Sequence, residues 1–310
     1  MALQGYLQEA PGIGARWAWE QGFTGEGVRV ADVEFALNRR HEELGRRVAL
    51  TPGAEPHDPF EGMGTEHGTA VMGIVVGQKD KAGIRGIAHG AEPAFYPVYD
   101  ATDGWRPDAA LLAACADSKA GDIVMVELQT EFSGAYAPME VDPGVWMATR
   151  TCTDAGVVVV AAAGNGGRNL DAPELAAWRD RGDSGAILVG AGTGGADGAL
   201  TAESFSNYGD RVDLQGWGSR VFTVGYGDHV VVDADPDRTY TAQFGGTSSA
   251  TPIVAGAAAL VQHAATQRDG APLEPEALRA LLKRTGVRQG PDRRERPIGP
   301  LPDVRAAIEG

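Results

Sequence analysis

The chain has 310 residues, of which 43% are hydrophobic and 22% are charged, a balance typical of a globular protein with a sizeable core. Its net charge of −15 disfavours nucleic acid and anionic membrane surfaces as partners. No apolar stretch of the sequence is long enough to span a bilayer as a helix, so we expect no membrane partner.

No Pro/Ser-rich linker, low-complexity tract or internal repeat divides the chain, and we predict a single domain over residues 1–310. Residues 1–7 lack a basic segment followed by an apolar core, so they do not resemble a signal peptide. The protein would then be cytoplasmic, or a trimmed form of a secreted protein. Cys115 and Cys152 are expected to be buried thiols within helices and not a disulfide framework.

Short apolar runs alternate with helical patterns along the chain. A loop and short helix at 10–22 come first. The predicted strands are 28–32, 94–99, 123–126, 157–163 and 186–191. The predicted helices are 67–76, 107–120, 145–155, 250–265 and 275–285.

This alternation predicts an α/β fold of three layers, in which a mainly parallel sheet carries helices on both faces. In such sheets ligands bind beyond the carboxyl ends of the strands. Asp32 stands at the end of one predicted strand, and Asn165 follows the end of another. The pattern therefore predicts that both side chains lie at a binding edge.

The stretch 244–252, Phe-Gly-Gly-Thr-Ser-Ser-Ala-Thr-Pro, places Ser248 where a helix begins. A serine there has two uses. Its hydroxyl can cap the helix by accepting a backbone hydrogen bond, or it can act as a nucleophile whose oxyanion is stabilised by the free N–H groups. The motif alone leaves both open.

The other motifs favour catalysis. Besides Asp32 and Asn165, the sequence holds His67 at the head of His-Gly-Thr-Ala-Val-Met-Gly, and Asp, His and Ser occur in that chain order. On these motifs the chain resembles the subtilisin family (subtilases) of serine proteases, and the resemblance runs from about residue 14 to residue 308.

The resemblance implies a serine endopeptidase with a polypeptide substrate and no required cofactor. Ser248 would be the nucleophile, His67 its general base, and Asp32 the carboxylate that orients the imidazole. Asn165 and the backbone N–H of Ser248 would bind the oxyanion. Ser249 is assigned to packing or capping.

Three positions depart from the family pattern, and one of them, Met72 in place of the usual alanine of the histidine motif, is a packing change. Glu34 follows Asp32 where the family has a small residue, and it would lie beside the triad or turn to solvent. Glu127 replaces a small residue at the start of Glu127-Leu128-Gln129, which the resemblance implies to be a substrate-binding segment together with Ala163 and Gly164.

Two orientations of Glu127 are open. If it faces the cleft, it would favour basic or polar substrate residues near the scissile bond. If it faces inward, its carboxyl group needs a partner or must hold a proton, or it makes a structural hydrogen bond.

A structural calcium ion, frequent in the family, would lie near Gln4, Glu43 and the loop 78–83, but Lys79 and Lys81 add positive charge that opposes a cation. We predict no metal ligand in the catalytic site.

Other functions remain open at this point. The same triad could perform peptide ligation or cyclisation, and a peptide-binding pseudoprotease is the non-enzymatic alternative. Ser184 lies in Gly-Asp-Ser-Gly, which resembles a trypsin-type motif, but it precedes a predicted parallel strand and is disfavoured as a nucleophile.

Overall fold

The computed structural model describes residues 3–45, 48–50, 57–78, 83–102, 104–194 and 198–310. The α-helices are α1 Ala15–Glu20, α2 Met63–Val76, α3 Pro107–Ala116, α4 Pro143–Asp154, α5 Ala176–Arg179, α6 Thr247–Asp269, α7 Pro275–Thr285 and α8 Val304–Glu309. The strands are β1 Arg29–Glu34, β2 Ala49–Leu50, β3 Glu92–Pro97, β4 Tyr99–Asp100, β5 Gly104–Trp105, β6 Ile123–Val126, β7 Gln129–Phe132, β8 Ala135–Pro138, β9 Val158–Ala162, β10 Ile187–Gly192, β11 Leu214–Trp217, β12 Val221–Val224, β13 Val230–Val231 and β14 Thr239–Phe244.

Seven strands form one parallel sheet in the order β11-β10-β9-β6-β1-β3-β2. The chain first builds outward from β1 to β3 and then returns to β6 on the other side of β1. The direction of winding therefore changes between β1 and β6. In open parallel sheets this switch point is where ligands bind, beyond the carboxyl ends of the strands.

Side chains alternate between the two faces of the sheet. Val30 packs into the core formed with α2 and α6, while Ala31 and Val33 pack into the core formed with α3 and α4. By this alternation Asp32 and Glu34 lie on the α2/α6 face. The predicted three-layer α/β fold is confirmed.

Several predicted boundaries differ from the structure. β1 runs two residues past the predicted end and finishes at Glu34, because the strand stays buried between its two neighbouring layers through Glu34. α2 begins at Met63 and not at His67, since Asp58 caps it one turn earlier. The predicted helix 107–120 ends at Ala116.

The sequence analysis also missed the antiparallel parts. β7 and β8 form a hairpin, and β12, β14 and β13 form a three-stranded sheet beside α2. These strands are short and partly polar, so their sequences carry little periodic signal.

The helix α6 crosses under the sheet and is buried from Thr247 to Ala265. In the described ranges, none of the helices is both long enough and apolar enough to cross a membrane. Close packing of α6 depends on small residues. At Gly256 an added Cβ would lie 2.7 Å from Ile87 Cβ.

We expect Gly256→Ala to destabilise the protein by about 1–2 kcal/mol, because overpacking against Ile87 outweighs the helix-propensity gain of alanine. Chemical denaturation measures the change. Thr266→Ala, at an exposed position of the same helix, is the control and should change stability by less than about 0.5 kcal/mol. A Gly256→Ala protein as stable as the wild type would contradict this packing.

Candidate active site

The carboxyl end of β1 brings two acidic side chains to the α2/α6 face of the sheet. Asp32 and Glu34 are both fully buried. Residues two apart on one strand are separated by about 6.6 Å, so each carboxyl group meets a different neighbour. Glu34 Oε1 accepts a hydrogen bond of 2.7 Å from Phe35 N, which holds its carboxylate where the strand ends.

The helix α2 carries His67 up to this strand end. Asp58 caps the helix by accepting hydrogen bonds from Gly64 N and Thr65 N at 3.2 and 2.7 Å. At Gly68 an added Cβ would lie 2.2 Å from Ala36 O and 3.2 Å from Glu34 Cγ. Only a glycine at this position lets the helix approach β1 so closely.

This approach puts the imidazole of His67 on Glu34. His67 Nδ1 lies 2.7 Å from Glu34 Oε2, and the ring packs edge-on against Phe244 with 5.6 Å between centroids. Burial opposes the charged imidazole, but the charge and hydrogen bond of Glu34, and then the charge of Asp32, outweigh it and raise the pKa of His67 above its usual value. The contact therefore favours the imidazolium form.

The role expected for Asp32 needs correction at this point. The carboxylate on His67 Nδ1 belongs to Glu34 and not to Asp32. The physical reason is the longer strand: Glu34, and not Asp32, occupies the carboxyl end of β1, where the imidazole arrives. Asp32 lies one side-chain repeat deeper in the sheet.

Asp32 instead lies against Glu127, which follows the last residue of β6. Glu127 is 4% exposed, and both of its carboxyl oxygens are buried. Burial, and then the charge of Glu34, raise the pKa of Asp32 well above its usual value, and burial and the charge of Asp32 do the same for Glu127. Glu127 borders the cleft, but both of its carboxyl oxygens are buried, which is the inward of the two predicted orientations; its effect on substrate choice stays a prediction.

Ser248 is the second residue of α6. Gly246, which precedes the helix, has φ +85°, a left-handed conformation that favours glycine. The N–H groups of the first helical residues have no partner within the helix, so Ser248 N is available as a donor. The neighbouring Ser249 is fully buried, and its hydroxyl donates to Trp217 O at 2.8 Å, which fits its predicted packing role.

Asn165 is held in one orientation. Its side-chain Oδ1 accepts hydrogen bonds from Thr247 N and Thr247 Oγ1 at 2.9 and 3.2 Å. Its backbone N–H donates to Gln129 Oε1 at 2.8 Å. Because Oδ1 faces Thr247, the amide Nδ2 remains to donate elsewhere.

Two donors border one point beside Gly246. A Cβ placed on Gly246 would lie 3.2 Å from Asn165 Nδ2 and 3.6 Å from Ser248 N. Asn165 Oδ1 lies 3.5 Å from the same point, so the two N–H donors and this acceptor share one small space at the start of α6.

The other predicted substrate-binding residues differ in exposure. Leu128 and Gln129 line the cleft, and Gln129 also supports Asn165. Ala163 is fully buried, and its carbonyl accepts a hydrogen bond from Asn207 Nδ2 at 2.7 Å. The carbonyl of Gly164 accepts one from Asn207 N at 3.0 Å, so both backbone acceptors are already occupied.

The cleft has a volume of about 810 Å³ and holds Glu34, His67, Asn165 and Ser248 in its lining. Its walls are largely aromatic and apolar and are formed by Phe35, Phe60, Met63, Trp105, Tyr136, Tyr226 and Phe244. Phe35 stacks on Trp105 at 5.4 Å and meets Phe60 edge-on at 4.8 Å. Sequence analysis missed this wall, because its members come from separate loops, short strands and helix ends that only the tertiary fold brings together.

At the place expected for calcium, the side-chain oxygen of Gln4 and one carboxyl oxygen of Glu43 already accept hydrogen bonds, and a calcium ion there stays a prediction. Gln4 Oε1 accepts from Arg85 N, and Glu43 Oε1 accepts from Ile84 N and Tyr240 Oη. Lys79 and Lys81 lie outside the described residues. Throughout the described ranges, no group of three or more His, Cys, Asp or Glu side chains could hold a metal ion.

Ser184 lies outside the cleft lining and is fully buried. Its hydroxyl donates to Glu140 Oε2 at 2.5 Å, and it accepts from Arg211 Nη2 at 3.1 Å. Cys115 and Cys152 are free thiols on α3 and α4, Cys152 buried and Cys115 partly so.

Comparison with known proteins shows which family the chain belongs to. Residues 40–299 match the model of the subtilase family. Subtilisin BL from Lederbergia lenta is 31% identical over 248 residues, which cover 79% of this chain and 80% of that protein. Two solved structures share the fold: the prenylagaramide maturation protease PagA, with a TM-score of 0.67 and 22% identity over 96% of this chain and 97% of that one, and a variant of the protease domain of PatA, with a TM-score of 0.66 and 23% identity over 93% and 96%.

The family match covers more than half of the chain, and the curated relative matches over most of both sequences. Members of the subtilase family are serine proteases that act on polypeptides. The chain therefore belongs to the subtilase family and is a subtilisin-like serine endopeptidase.

Proposed function

We propose that the protein hydrolyses peptide bonds with Ser248 as nucleophile, His67 as general base and Glu34 as the carboxylate that orients the imidazole. The observation that carries the proposal is the 2.7 Å contact between His67 Nδ1 and Glu34 Oε2 in the cleft that Ser248 also lines. A buried carboxylate on Nδ1 leaves Nε2 to take the serine proton and stabilises the imidazolium that results.

The reaction then follows from these positions. Neutral His67 takes the proton of Ser248 as Oγ attacks the substrate carbonyl, and Asn165 Nδ2 and Ser248 N donate to the oxyanion. His67 next protonates the leaving amine, and water hydrolyses the acyl-enzyme by the same steps. The aromatic walls support a preference for apolar substrate side chains, since these gain by leaving water.

Ligation or cyclisation would use the same acyl-enzyme and differ only in the group that attacks it. Mass spectrometry of the products separates these outcomes, because hydrolysis gives a free carboxyl terminus and ligation gives a new peptide bond. A peptide-binding pseudoprotease would give neither product and would not react with a fluorophosphonate.

Ser248→Ala should abolish peptide hydrolysis and labelling by a fluorophosphonate probe, because it removes the nucleophile. Ser249→Ala is the matched neighbour and should still be labelled, since its hydroxyl is committed to Trp217 O. Labelling of the Ser248→Ala protein would refute the assignment.

Glu34→Gln should lower kcat about 10³- to 10⁴-fold, because an amide cannot stabilise the imidazolium and can hold the wrong tautomer. Asp32→Asn, two residues earlier on the same strand, should cost far less. Steady-state kinetics with a peptide substrate compares the two variants. The reverse order of loss would return the triad role to Asp32.

The contact between Glu34 and His67 also predicts how activity depends on pH, and the wild type and Glu34→Gln can test this. The base works only when neutral, and Glu34 raises the pKa of His67, so wild-type kcat/KM should rise with pH through a midpoint above the usual histidine value of about 6.5. Glu34→Gln should move this midpoint to lower pH, as measured on its residual activity.

Asn165→Asp tests the oxyanion donor while keeping the oxygen that Thr247 N needs. Removing one such donor typically lowers kcat about 10²- to 10³-fold, and we expect at least this loss with little change in KM. Thermal unfolding serves as the control and should be nearly unchanged. Equal losses in kcat and in ground-state binding would instead indicate a structural role for Asn165.

A further inference from the structure

Three buried carboxyl groups meet where the sheet changes direction. Asp32 and Glu34 come from β1, and Glu127 directly follows the neighbouring strand β6. The exposed fraction is 0% for Asp32 and Glu34 and 4% for Glu127. The proposed mechanism uses only Glu34, so the other two carboxyl groups need their own explanation.

Neither Asp32 nor Glu127 has a donor from another side chain or backbone group in the part of the chain that the structure describes. All four of their oxygens are buried without such a partner, and neither residue forms an ion pair there. An ionised carboxylate in this condition is very costly, because it has lost its water and gained, at Glu127, only a hydrogen bond from its own backbone N–H.

The two carboxyl groups do face each other, and this offers a way to satisfy both. Two carboxylates are only acceptors, but one proton on either group makes it a donor to the other. Their contact is a hydrogen bond only in that protonated state. Two carboxyl groups in contact titrate as a pair, and the pair holds its first proton tightly.

The surrounding elements contribute few other charges. The helix α2 contributes His67 and Glu66, and the loop after β12 contributes Tyr226 and Asp228. Glu66 accepts a hydrogen bond from Tyr226 N, and burial and the charges of Glu34, Glu66 and Asp228 raise the pKa of Tyr226. On β3, which also borders Asp32, Tyr96 Oη is engaged on the opposite side of the sheet by Arg29 and Asp117. His67 is therefore the group through which the pair can influence the proposed chemistry.

We propose that Asp32 and Glu127 form a buried carboxyl pair that retains at least one proton at neutral pH and so acts as a positioning device for the Glu34–His67 contact. The proton lies on Glu127, whose hydroxyl donates to Asp32, so the pair keeps a single negative charge on Asp32, beside Glu34 and His67. Without the Glu127 hydroxyl as donor, Asp32 would take up a proton, and His67 would lose one of the two negative charges that raise its pKa. The effect on His67 rests on the proposed function, whereas the shared proton does not.

The first test measures the proton directly and requires no activity. Infrared spectroscopy of the wild-type protein at pH 7 should show the C=O band of a buried protonated carboxyl group. Glu127→Gln and Asp32→Asn should each lose the band, because the new amide donates to the remaining carboxylate and allows it to ionise. A wild-type spectrum without the band, or a band that survives in both variants, would overturn the shared proton.

Stability gives a second readout in the same samples. The pKa values of both groups are higher in the folded than in the unfolded protein, so the native state binds more protons above about pH 4 and its stability falls as pH rises. The double variant Asp32→Asn/Glu127→Gln should lack this fall. Parallel pH profiles for wild type and double variant would contradict the pair.

The effect on the active site is tested by the midpoint of kcat/KM against pH. Glu127→Gln keeps a donor on an ionised Asp32 and should leave the midpoint unchanged, whereas Asp32→Asn removes a charge that raises the pKa of His67 and should move the midpoint to lower pH. A merely structural role would lower kcat without moving the midpoint, and two unmoved midpoints would refute the positioning role. If the infrared band is present but Ser248→Ala stays active, the pair stands and the proposed function fails.

Discussion

The contact between His67 Nδ1 and Glu34 Oε2 is the interaction on which the rest of the site depends. It requires a strand that extends to Glu34, a helix that starts a full turn before His67, and a glycine at position 68 that lets the two approach. Each of these features is set by local sequence, but the contact forms only when all three are present. The contact also explains why a buried acid can stand at the end of β1: its charge is balanced by the imidazolium that the proposed reaction forms.

Electrostatics then constrains the groups around this contact. A site with three buried carboxyl groups and one histidine cannot hold all the negative charges at once, because desolvation is too costly. The Asp32–Glu127 pair relieves this by keeping a proton, which leaves Glu34 free to act on His67. A buried residue of the sheet can thus influence the acid–base behaviour of the cleft without touching the substrate.

Much of the fold and site could be predicted from the sequence. The alternation of apolar strands and helices predicts the parallel sheet, and the motifs around His67, Asn165 and Ser248 place these residues in one cleft. The choice between Asp32 and Glu34 could not be made in the same way, because a strand end is uncertain by a few residues and both carboxylates share a face. The alternation through Val33 to Glu34 was the available signal. The inward turn of Glu127 and the aromatic wall depend on tertiary contacts that no local pattern contains.

The central claim is that Glu34 is the hydrogen-bond partner of His67. Proton NMR tests it most directly, since a strongly hydrogen-bonded Nδ1–H of an imidazolium gives a resolved low-field resonance at acidic pH. We predict that this resonance is present in the wild type and in Asp32→Asn and absent in Glu34→Gln. A resonance that persists in Glu34→Gln and disappears in Asp32→Asn would contradict the account.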